Sequence, residues 1–135
     1  VSAQGGRRLS SSQARERAAE LLYEAEIKGI TPAELLEAQV VAPDPLVSEL
    51  VGGVGERLST IDALLSTHSV GWPIERMPVV DRSVLRLATY ELLARPDVSV
   101  AIVISQAVEL AKLLSTADSS RFVNGVLGAV ARNVR

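Results

Sequence analysis

The sequence feature that most restricts the fold is a recurrence of aliphatic residues at intervals of three and four positions. Ala14, Ala18, Leu21, Leu22 and Ala25 have this spacing, which places them on one face of an α-helix. Comparable stripes occur in three later segments, and their members are Val47, Val51, Val54, Leu58, Ile61 and Leu65; Val80, Val84, Leu87 and Leu92; and Phe122, Val123, Val126, Leu127 and Val130. The pattern predicts amphipathic helices that pack their apolar faces together.

Capping residues and prolines set the expected ends of these helices. The first helix is predicted to begin at Ser12, and Gly29 is placed to end it. Thr31–Glu34 then combines an N-cap threonine, a proline in the first turn and a glutamate at the capping-box position. The starts predicted for three of the remaining helices are Asp44-Pro45, Pro78, and Asp118 or Ser119.

Two segments depart from a plain helical pattern. Val98–Ile104 is rich in β-branched residues, which favour strands, but no partner strand is found elsewhere, and a lone strand leaves backbone groups unpaired. We therefore interpret it as the buried entry of a helix that continues through Gln106–Leu114. Gly52, Gly53 and Gly55 interrupt the stripe from Val47 to Leu65, and each costs about 0.5–1 kcal/mol relative to alanine in a helix. They indicate either a second backbone that passes close by or a kink.

The composition fits one all-α domain and excludes several kinds of chemistry. A chain of 135 residues, 47% of them hydrophobic, can bury a single core, which we expect to be a bundle of six or seven helices. There is no cysteine and a single histidine, His68, so disulfides, thiol catalysis and histidine-rich metal sites are excluded. No catalytic constellation is found, and Gly52–Gly55 lacks the lysine and hydroxyl residue of a phosphate-binding loop. We expect a protein that is not an enzyme and that binds no cofactor and no metal.

Charge is distributed unevenly along the chain. Residues 1–17 carry four arginines against one glutamate, whereas residues 18–75 carry ten acids against two bases, and the whole chain has a net charge of −2. Twelve of the 14 basic residues are arginine, whose planar fork matches phosphate and stacks on bases. This indicates an anionic partner near the N-terminus, such as a nucleic acid. A genome that prefers arginine and a solvated tail explain the same composition equally well.

The N-terminus is expected to be a flexible basic arm. Residues 1–11 contain Arg7 and Arg8 together with glycines and serines, and they have little apolar content. They do not resemble a signal peptide, and no apolar run in the chain approaches the roughly 20 residues that span a membrane. We therefore expect a cytoplasmic protein without a membrane partner.

Residues 118–125 are the strongest candidate for ligand binding. Asp118 is placed to cap free N–H groups, and Arg121 and Phe122 follow near the first turn of the last helix. A helix N-terminus, a guanidinium and an aromatic ring can together hold a phosphate and stack a base. The alternative is that Phe122 is a core residue and Arg121 an exposed spacer, which is the simpler explanation of these residues taken alone.

Several segments together resemble the NusB family of bacterial transcription antitermination proteins. They follow the family's order over most of the chain, and the most specific positions fall in Val80–Leu127. The segments are Ala14-Arg15 with Ala18 and Leu22-Tyr23; Asp81-Arg82 with Val84–Ala88 and Tyr90–Leu92; Ala107–Lys112; and Asp118-Ser119 with Phe122–Leu127. The resemblance implies an all-α, NusB-like bundle of about seven helices in two packed subdomains, three helices and then four, without enzymatic activity. We place these subdomains at residues 12–70 and 71–135, after the arm at residues 1–11.

The resemblance also implies partners and contact residues. Family members bind boxA RNA, a short single-stranded element in the leaders of ribosomal RNA operons, together with the small ribosomal protein NusE. The complex then joins elongating RNA polymerase. Carried over by position, the implied RNA surface comprises Arg15, Asp118, Ser119, Arg121 and Phe122, and the implied NusE surface comprises Asp81, Arg82 and Arg86. Arg7 and Arg8 lie farther upstream than the family's basic residues, and they are predicted RNA contacts only if the arm folds back.

Two departures from the family pattern stand out. Consecutive basic residues often precede the Ala-Arg pair directly in the family, but Ser11–Gln13 stands there in this chain. An Asn-Glu pair common before the run at Ala107–Lys112 is Ser105-Gln106 here.

Two alternative functions remain: the RNA-binding domain of a ribosomal RNA methyltransferase, and a homodimeric helical interaction module. The absence of a glycine-rich cofactor motif before Arg135 argues against the first of these.

Overall fold

The computed structural model describes residues 8–135, which form seven α-helices and one 3₁₀ turn. The helices are α1 (Ser11–Lys28), α2 (Pro32–Glu37), α3 (Pro45–Glu56), α4 (Leu58–His68), α5 (Val79–Ala94), α6 (Val100–Leu114) and α7 (Ala117–Val134), and the 3₁₀ turn is Ile74–Arg76. No β-strand occurs among the described residues, so the all-α prediction is confirmed. The helix predicted at Val98–Ile104 exists, but it begins at Val100 with Ser99 as its N-cap, and it is not a buried entry, because Ile102 is 51% exposed. Within the same range, no helix combines the length and the apolar character needed to cross a bilayer.

Local sequence signals account for the ends of the first two helices. Ser10 and Gln13 form a capping box at the start of α1, and Gly29 follows its end with a φ of 69°, in the left-handed region. Thr31 and Glu34 form the predicted capping box of α2. These side chains bind backbone N–H groups that a helix start leaves without partners, which is why the helices begin at these residues.

Several boundaries differ from the prediction. Helix α1 begins at Ser11 rather than at Ser12, because Ser10 is its N-cap. The apolar stripe from Val47 to Leu65 forms two helices, because the backbone leaves the helical conformation at Arg57. Four α-helices rather than three therefore precede residue 70, and three follow it. Helix α7 begins at Ala117 and is capped by Thr116, not by Asp118 or Ser119. The reason is that Thr116 Oγ1 accepts the N–H of Ser119.

The segment before α1 is held by Asp44. The N–H of Leu9 donates to Asp44 Oδ2 at 3.0 Å, and the N–H of Leu46 donates to Asp44 Oδ1 at 2.9 Å, where Asp44 caps α3. The N–H groups of Leu9 and Leu46 hold the pKa of Asp44 below its usual range. Because α1 already begins at Ser11 and Leu9 is tethered, the predicted arm does not extend to residue 11. Arg7 lies outside the described residues.

Helix α5 is the centre of the bundle. It packs against α1, α3, α4, α6 and α7, and most of its residues are buried in a core that is almost entirely aliphatic, as predicted. Tyr90 is the aromatic residue among the buried side chains of this core. Since α5 contacts helices on both sides of residue 70, the two predicted subdomains share one packed interior, and their division stays a prediction.

The close approach of α3 and α5 explains one glycine of α3. A Cβ added at Gly53 would lie 2.2 Å from Tyr90 Cε1, so the two helices approach only because this position lacks a side chain. A Cβ at Gly55 would similarly lie 3.2 Å from Pro32, whereas one at Gly52 would make an ordinary contact at 3.8 Å. The predicted close neighbour therefore exists at Gly53, but it is an aromatic side chain rather than a second backbone.

We expect Gly53→Ala to destabilise the protein by about 1–3 kcal/mol, because the added methyl group overlaps the ring of Tyr90. Gly52→Ala, one residue earlier in the same helix, is the matched control and should be neutral or stabilising by up to about 1 kcal/mol, since alanine favours the helix. Urea denaturation followed by circular dichroism measures both values. Equal destabilisation by the two substitutions would contradict this packing explanation.

Candidate nucleic-acid interface

The first turns of α7 present an exposed ion pair. Asp118 and Arg121 lie one turn apart and are paired, while their side chains keep 88% and 80% of their full exposure. Exposed pairs of this kind contribute only about 0–1 kcal/mol, so Arg121 can exchange Asp118 for another anion at little cost. The start of α7 also carries the positive end of the helix dipole, which favours an anion there.

Phe122 combines features of the two alternatives that the sequence leaves open. Its ring packs edge-on against Trp72, with the ring centroids 4.7 Å apart and the ring planes at 64°, and such pairs contribute about 0.5–1.5 kcal/mol beyond area burial. Both side chains are only partly buried. The two rings therefore form an aromatic pair at the protein surface, and Phe122 directly follows Arg121 in the sequence. Trp72 is not among the predicted site residues, because nothing in its local sequence links it to Phe122.

Ser119 and Asp81 contact each other in the interior. The hydroxyl of Ser119 donates to Asp81 Oδ2 at 2.8 Å; Ser119 is 7% exposed and Asp81 has no exposed surface. In this structure neither side chain is placed to meet a partner directly. Instead of the surface roles that the resemblance implies, toward RNA for Ser119 and toward NusE for Asp81, the two residues join the start of α7 to the start of α5.

Arg15 is buried as well. Its Nε and Nη2 donate to the two carboxylate oxygens of Glu91 at 2.8 and 2.9 Å, and Arg15 is only 4% exposed. Arg95 Nη1 donates to the same carboxylate at 2.9 Å. Since the fork of Arg15 is occupied, the structure gives it an internal role rather than the predicted surface role. Sequence reasoning missed Glu91, although its position on the apolar face of α5, in line with Val84 and Ala88, is a signal of a buried charge that needs a partner.

The predicted RNA residues do not form a single cluster. Asp81, which binds Ser119, lies in the first turn of α5, and Glu91, which binds Arg15, lies near the other end of the same helix. At about 1.5 Å per residue, these two contact points are separated by about 15 Å along α5. Arg121 and Phe122 therefore share one region of the surface, and Arg15 lies inside a different part of the bundle.

Arg82 and Arg86 belong to an ion-pair network that joins α1, α4 and α5. Arg86 donates to both carboxylate oxygens of Asp62 at 2.8 Å and to Glu26 at 2.7 Å, while Arg82 donates to Glu26 at 3.2 Å and to the carbonyl of Ile74 at 2.9 Å. Burial by itself lowers the pKa of Arg86, but the hydrogen bonds and charges of Asp62 and Glu26 outweigh it and raise the pKa. The two acids are partly exposed, so this network reaches the surface.

Other candidate sites carry less specific chemistry. Arg8 is exposed and lines an open groove of about 1190 Å³ between α1 and residues 38–47, together with Arg17, Lys28, Glu24 and Asp44. The charges along this groove are mixed, so it shows no preference for an anion or a cation. Among residues 8–135, no group of three or more histidine, aspartate or glutamate side chains is arranged to hold a metal ion.

Comparison with known protein sequences gives consistent matches. Residues 12–132 match the NusB family. The transcription antitermination protein NusB of Saccharopolyspora erythraea is 52% identical over 126 residues, which cover 89% of this chain and 85% of that protein. The corresponding protein of Kineococcus radiotolerans is 45% identical over 123 residues, which cover 88% of this chain and 90% of that protein.

Comparison with solved structures agrees with the sequence matches. T. maritima NusB aligns with a TM-score of 0.82 at 32% identity, and the alignment covers 93% of each chain. A crystal structure of the antitermination factors NusB and NusE in complex with dsRNA aligns with a TM-score of 0.77 at 27% identity, covering 90% of this chain and 96% of that one. The chain therefore has the fold of these proteins.

We expect Arg15→Ala to lower the free energy of unfolding by about 3–5 kcal/mol, because it leaves the buried Glu91 carboxylate with one cation in place of two. Arg17→Ala, on the same helix, removes only an exposed pair with Glu20 and should change the stability by less than about 1 kcal/mol. Chemical denaturation of the two variants measures the difference. Unchanged stability of Arg15→Ala combined with weaker RNA binding would instead support the surface role that the resemblance implies.

Proposed function

The chain belongs to the NusB family, and from this membership we propose that it is a transcription antitermination protein that binds boxA-type RNA of ribosomal RNA operon leaders together with NusE. The complex acts on elongating RNA polymerase. The match over residues 12–132 carries the proposal, because it spans nearly the whole chain rather than one motif. Relatives named as antitermination proteins, and a solved NusB–NusE complex with dsRNA, support it.

The RNA contact is best placed at the start of α7. Arg121 can exchange the Asp118 carboxylate for a phosphate, and the partly exposed ring of Phe122, supported by Trp72, can stack on an unpaired base. Arg7 and Arg8 remain predicted phosphate contacts near the N-terminus. Because the net charge is −2, few local contacts rather than bulk attraction must hold the RNA, and binding by the protein alone should be modest and sensitive to salt.

The NusE contact is best placed on the network of Arg82 and Arg86. This network holds two arginines and two acids in fixed positions where α1, α4 and α5 meet, and Glu26 and Asp62 keep about one third of their side-chain surface exposed. Such fixed, alternating charges suit recognition of a protein surface of complementary charge. A partner that also touches the RNA would add phosphate contacts, which makes binding of RNA and NusE mutually reinforcing.

This mechanism consists of binding alone. It requires no bond to be made or broken, so we propose that the protein has no enzymatic activity, and action on RNA polymerase places it in the cytoplasm. The methyltransferase-domain alternative is less well supported, because relatives aligned over 85–90% of their own length are named as antitermination proteins. Sedimentation tests the homodimer alternative. If homodimerisation is the function, the sedimentation rate of the protein should not change when RNA is added.

We expect Arg121→Ala to weaken binding of boxA RNA and of a scrambled control alike in a gel shift, and to reduce the slope of log affinity against log salt concentration by about one, because one phosphate contact is lost. Arg132→Ala is the matched control, since Arg132 is also exposed on α7 but lies at its other end.

Phe122→Leu should lower boxA affinity by about 1–3 kcal/mol through loss of base stacking.

Two results would argue against this assignment. Equal weakening by Arg132→Ala and Arg121→Ala would mean that RNA binding follows overall charge and not the start of α7. If Phe122→Leu reduces the stability of the protein but leaves its RNA affinity unchanged, Phe122 is a core residue and does not contact RNA.

We expect NusE to raise the affinity for boxA RNA more than that for scrambled RNA. Arg86→Gln should weaken NusE binding, measured by isothermal titration calorimetry without RNA, because it removes the contacts to Asp62 and Glu26 that fix the network. The RNA affinity of the isolated variant should remain that of the unmodified protein. Arg132→Ala again serves as the control. If Arg86→Gln leaves NusE binding unchanged, the NusE surface does not include this network.

A further inference from the structure

Asp81 is a fully buried carboxylate with no cation among its contacts in residues 8–135. Its Oδ2 accepts the hydroxyl of Ser119, and within the described part of the chain its Oδ1 has no hydrogen-bond partner. Burial of a carboxylate is unfavourable unless specific contacts compensate for the lost hydration. The position of Asp81 therefore needs a structural explanation.

The compensation comes from the starts of two helices. Asp81 lies in the first turn of α5, where unpaired N–H groups and the helix dipole favour a negative charge. Through Ser119 it also reaches the first turn of α7. Two helix N-termini thus stabilise the carboxylate, which forms no salt bridge with any residue from 8 to 135, and the contact with Ser119 ties these two helix starts together.

The contact with Asp81 also orders the hydroxyl groups around the cap of α7. Ser119 has a single hydroxyl proton and donates it to Asp81, so its oxygen must accept in its 3.0 Å contacts with Ser115 and Thr116. Thr116 Oγ1 in turn accepts the N–H of Ser119 as the N-cap of the helix. One carboxylate therefore determines the direction of the three hydroxyl hydrogen bonds that involve Ser119.

The exposed residues of the candidate RNA surface follow directly from this anchored turn. Asp118 and Arg121 flank Ser119 on α7, and Phe122 packs against Trp72 immediately beyond it. We propose that Asp81 is a positioning residue for RNA binding: through Ser119 it holds the first turn of α7 so that Arg121 and Phe122 face the RNA together. This inference rests on the proposed function and differs from the direct NusE contact that the resemblance implies for Asp81.

The test compares three substitutions at the anchor with one control on the same helix. Asp81→Ala and Ser119→Ala each remove the hydrogen bond, whereas Asp81→Asn keeps an oxygen that can accept the Ser119 hydroxyl. The control is Thr89→Val, because Thr89 is also fully buried on α5 and its hydroxyl has no partner among the described residues. Each variant is measured for boxA affinity, for NusE affinity without RNA, and for stability to urea.

Trp72 supplies a local readout that a general loss of stability does not change. It is the single tryptophan of the chain and packs against Phe122 on α7, so its fluorescence emission under native conditions reports the position of this helix start. Loosening the first turn should expose the indole further and shift its emission to longer wavelength. Thr89→Val should leave the emission unchanged.

We expect Asp81→Ala and Ser119→Ala to weaken boxA binding about tenfold each, because RNA binding must then fix the first turn of α7 without the help of this hydrogen bond, and to shift the Trp72 emission. The double variant should be no weaker than the single ones, because both changes break the same contact. Asp81→Asn should recover most of the affinity and the emission, and NusE affinity should stay within twofold throughout. If Asp81→Ala fails to fold, Ser119→Ala and Asp81→Asn provide the comparison.

Other outcomes overturn the proposal. Loss of NusE binding with normal RNA binding would make Asp81 a partner contact, and additive effects of Asp81→Ala and Ser119→Ala would show that the two residues act separately. If the unmodified protein binds no boxA RNA with or without NusE, the proposed function fails. In that case the Trp72 emission and the additivity of the stability changes still decide whether Asp81 positions α7.

Discussion

The buried pair of Arg15 and Glu91 is the interaction on which the arrangement of the bundle most depends. Both carboxylate oxygens of Glu91 are bound by Arg15, and Arg95 adds a second cation at the same carboxylate. Such a pair contributes little net stability compared with apolar residues of the same volume, but its separation leaves charges in the interior. Helix α1 is therefore held on α5 in the one register that brings the two side chains together.

Helix α5 carries further contacts of different chemistry along its length. Asp81 binds Ser119 at its start, Tyr90 fills the space above Gly53, and Arg135 donates to the carbonyls of Leu92 and Glu91 near its end. Helix α7 is thus tied to α5 near both ends, in a parallel orientation. A hydrogen bond, an ion pair or a glycine contact tolerates less displacement than aliphatic packing, so these points define how the neighbouring helices are placed.

Burial determines what each arginine–carboxylate pair can do in this protein. Arg121 and Asp118 are almost fully exposed, so their pair is weak and Arg121 is free to exchange its partner for a phosphate. Arg15 and Glu91 have the same chemical groups, but in the interior their pair is part of the fold. The RNA binding that we propose uses both kinds of pair: the buried pair keeps the frame rigid, and the exposed pair can release its weak contact in favour of a phosphate.

The sequence by itself determined the helices, because apolar spacing, capping residues and prolines act within a few positions of the chain. Gly29, Thr31 and the aliphatic stripes predicted the elements, and the motifs from Val80 to Leu127 predicted the family. Helical spacing places Arg15, Asp81 and Glu91 in line with apolar residues of their own helices, but which partner each of them has was decided only by the tertiary structure. Glu91 and Ser119 are distant in sequence from Arg15 and Asp81, and the packing of α1, α5 and α7 brings them together.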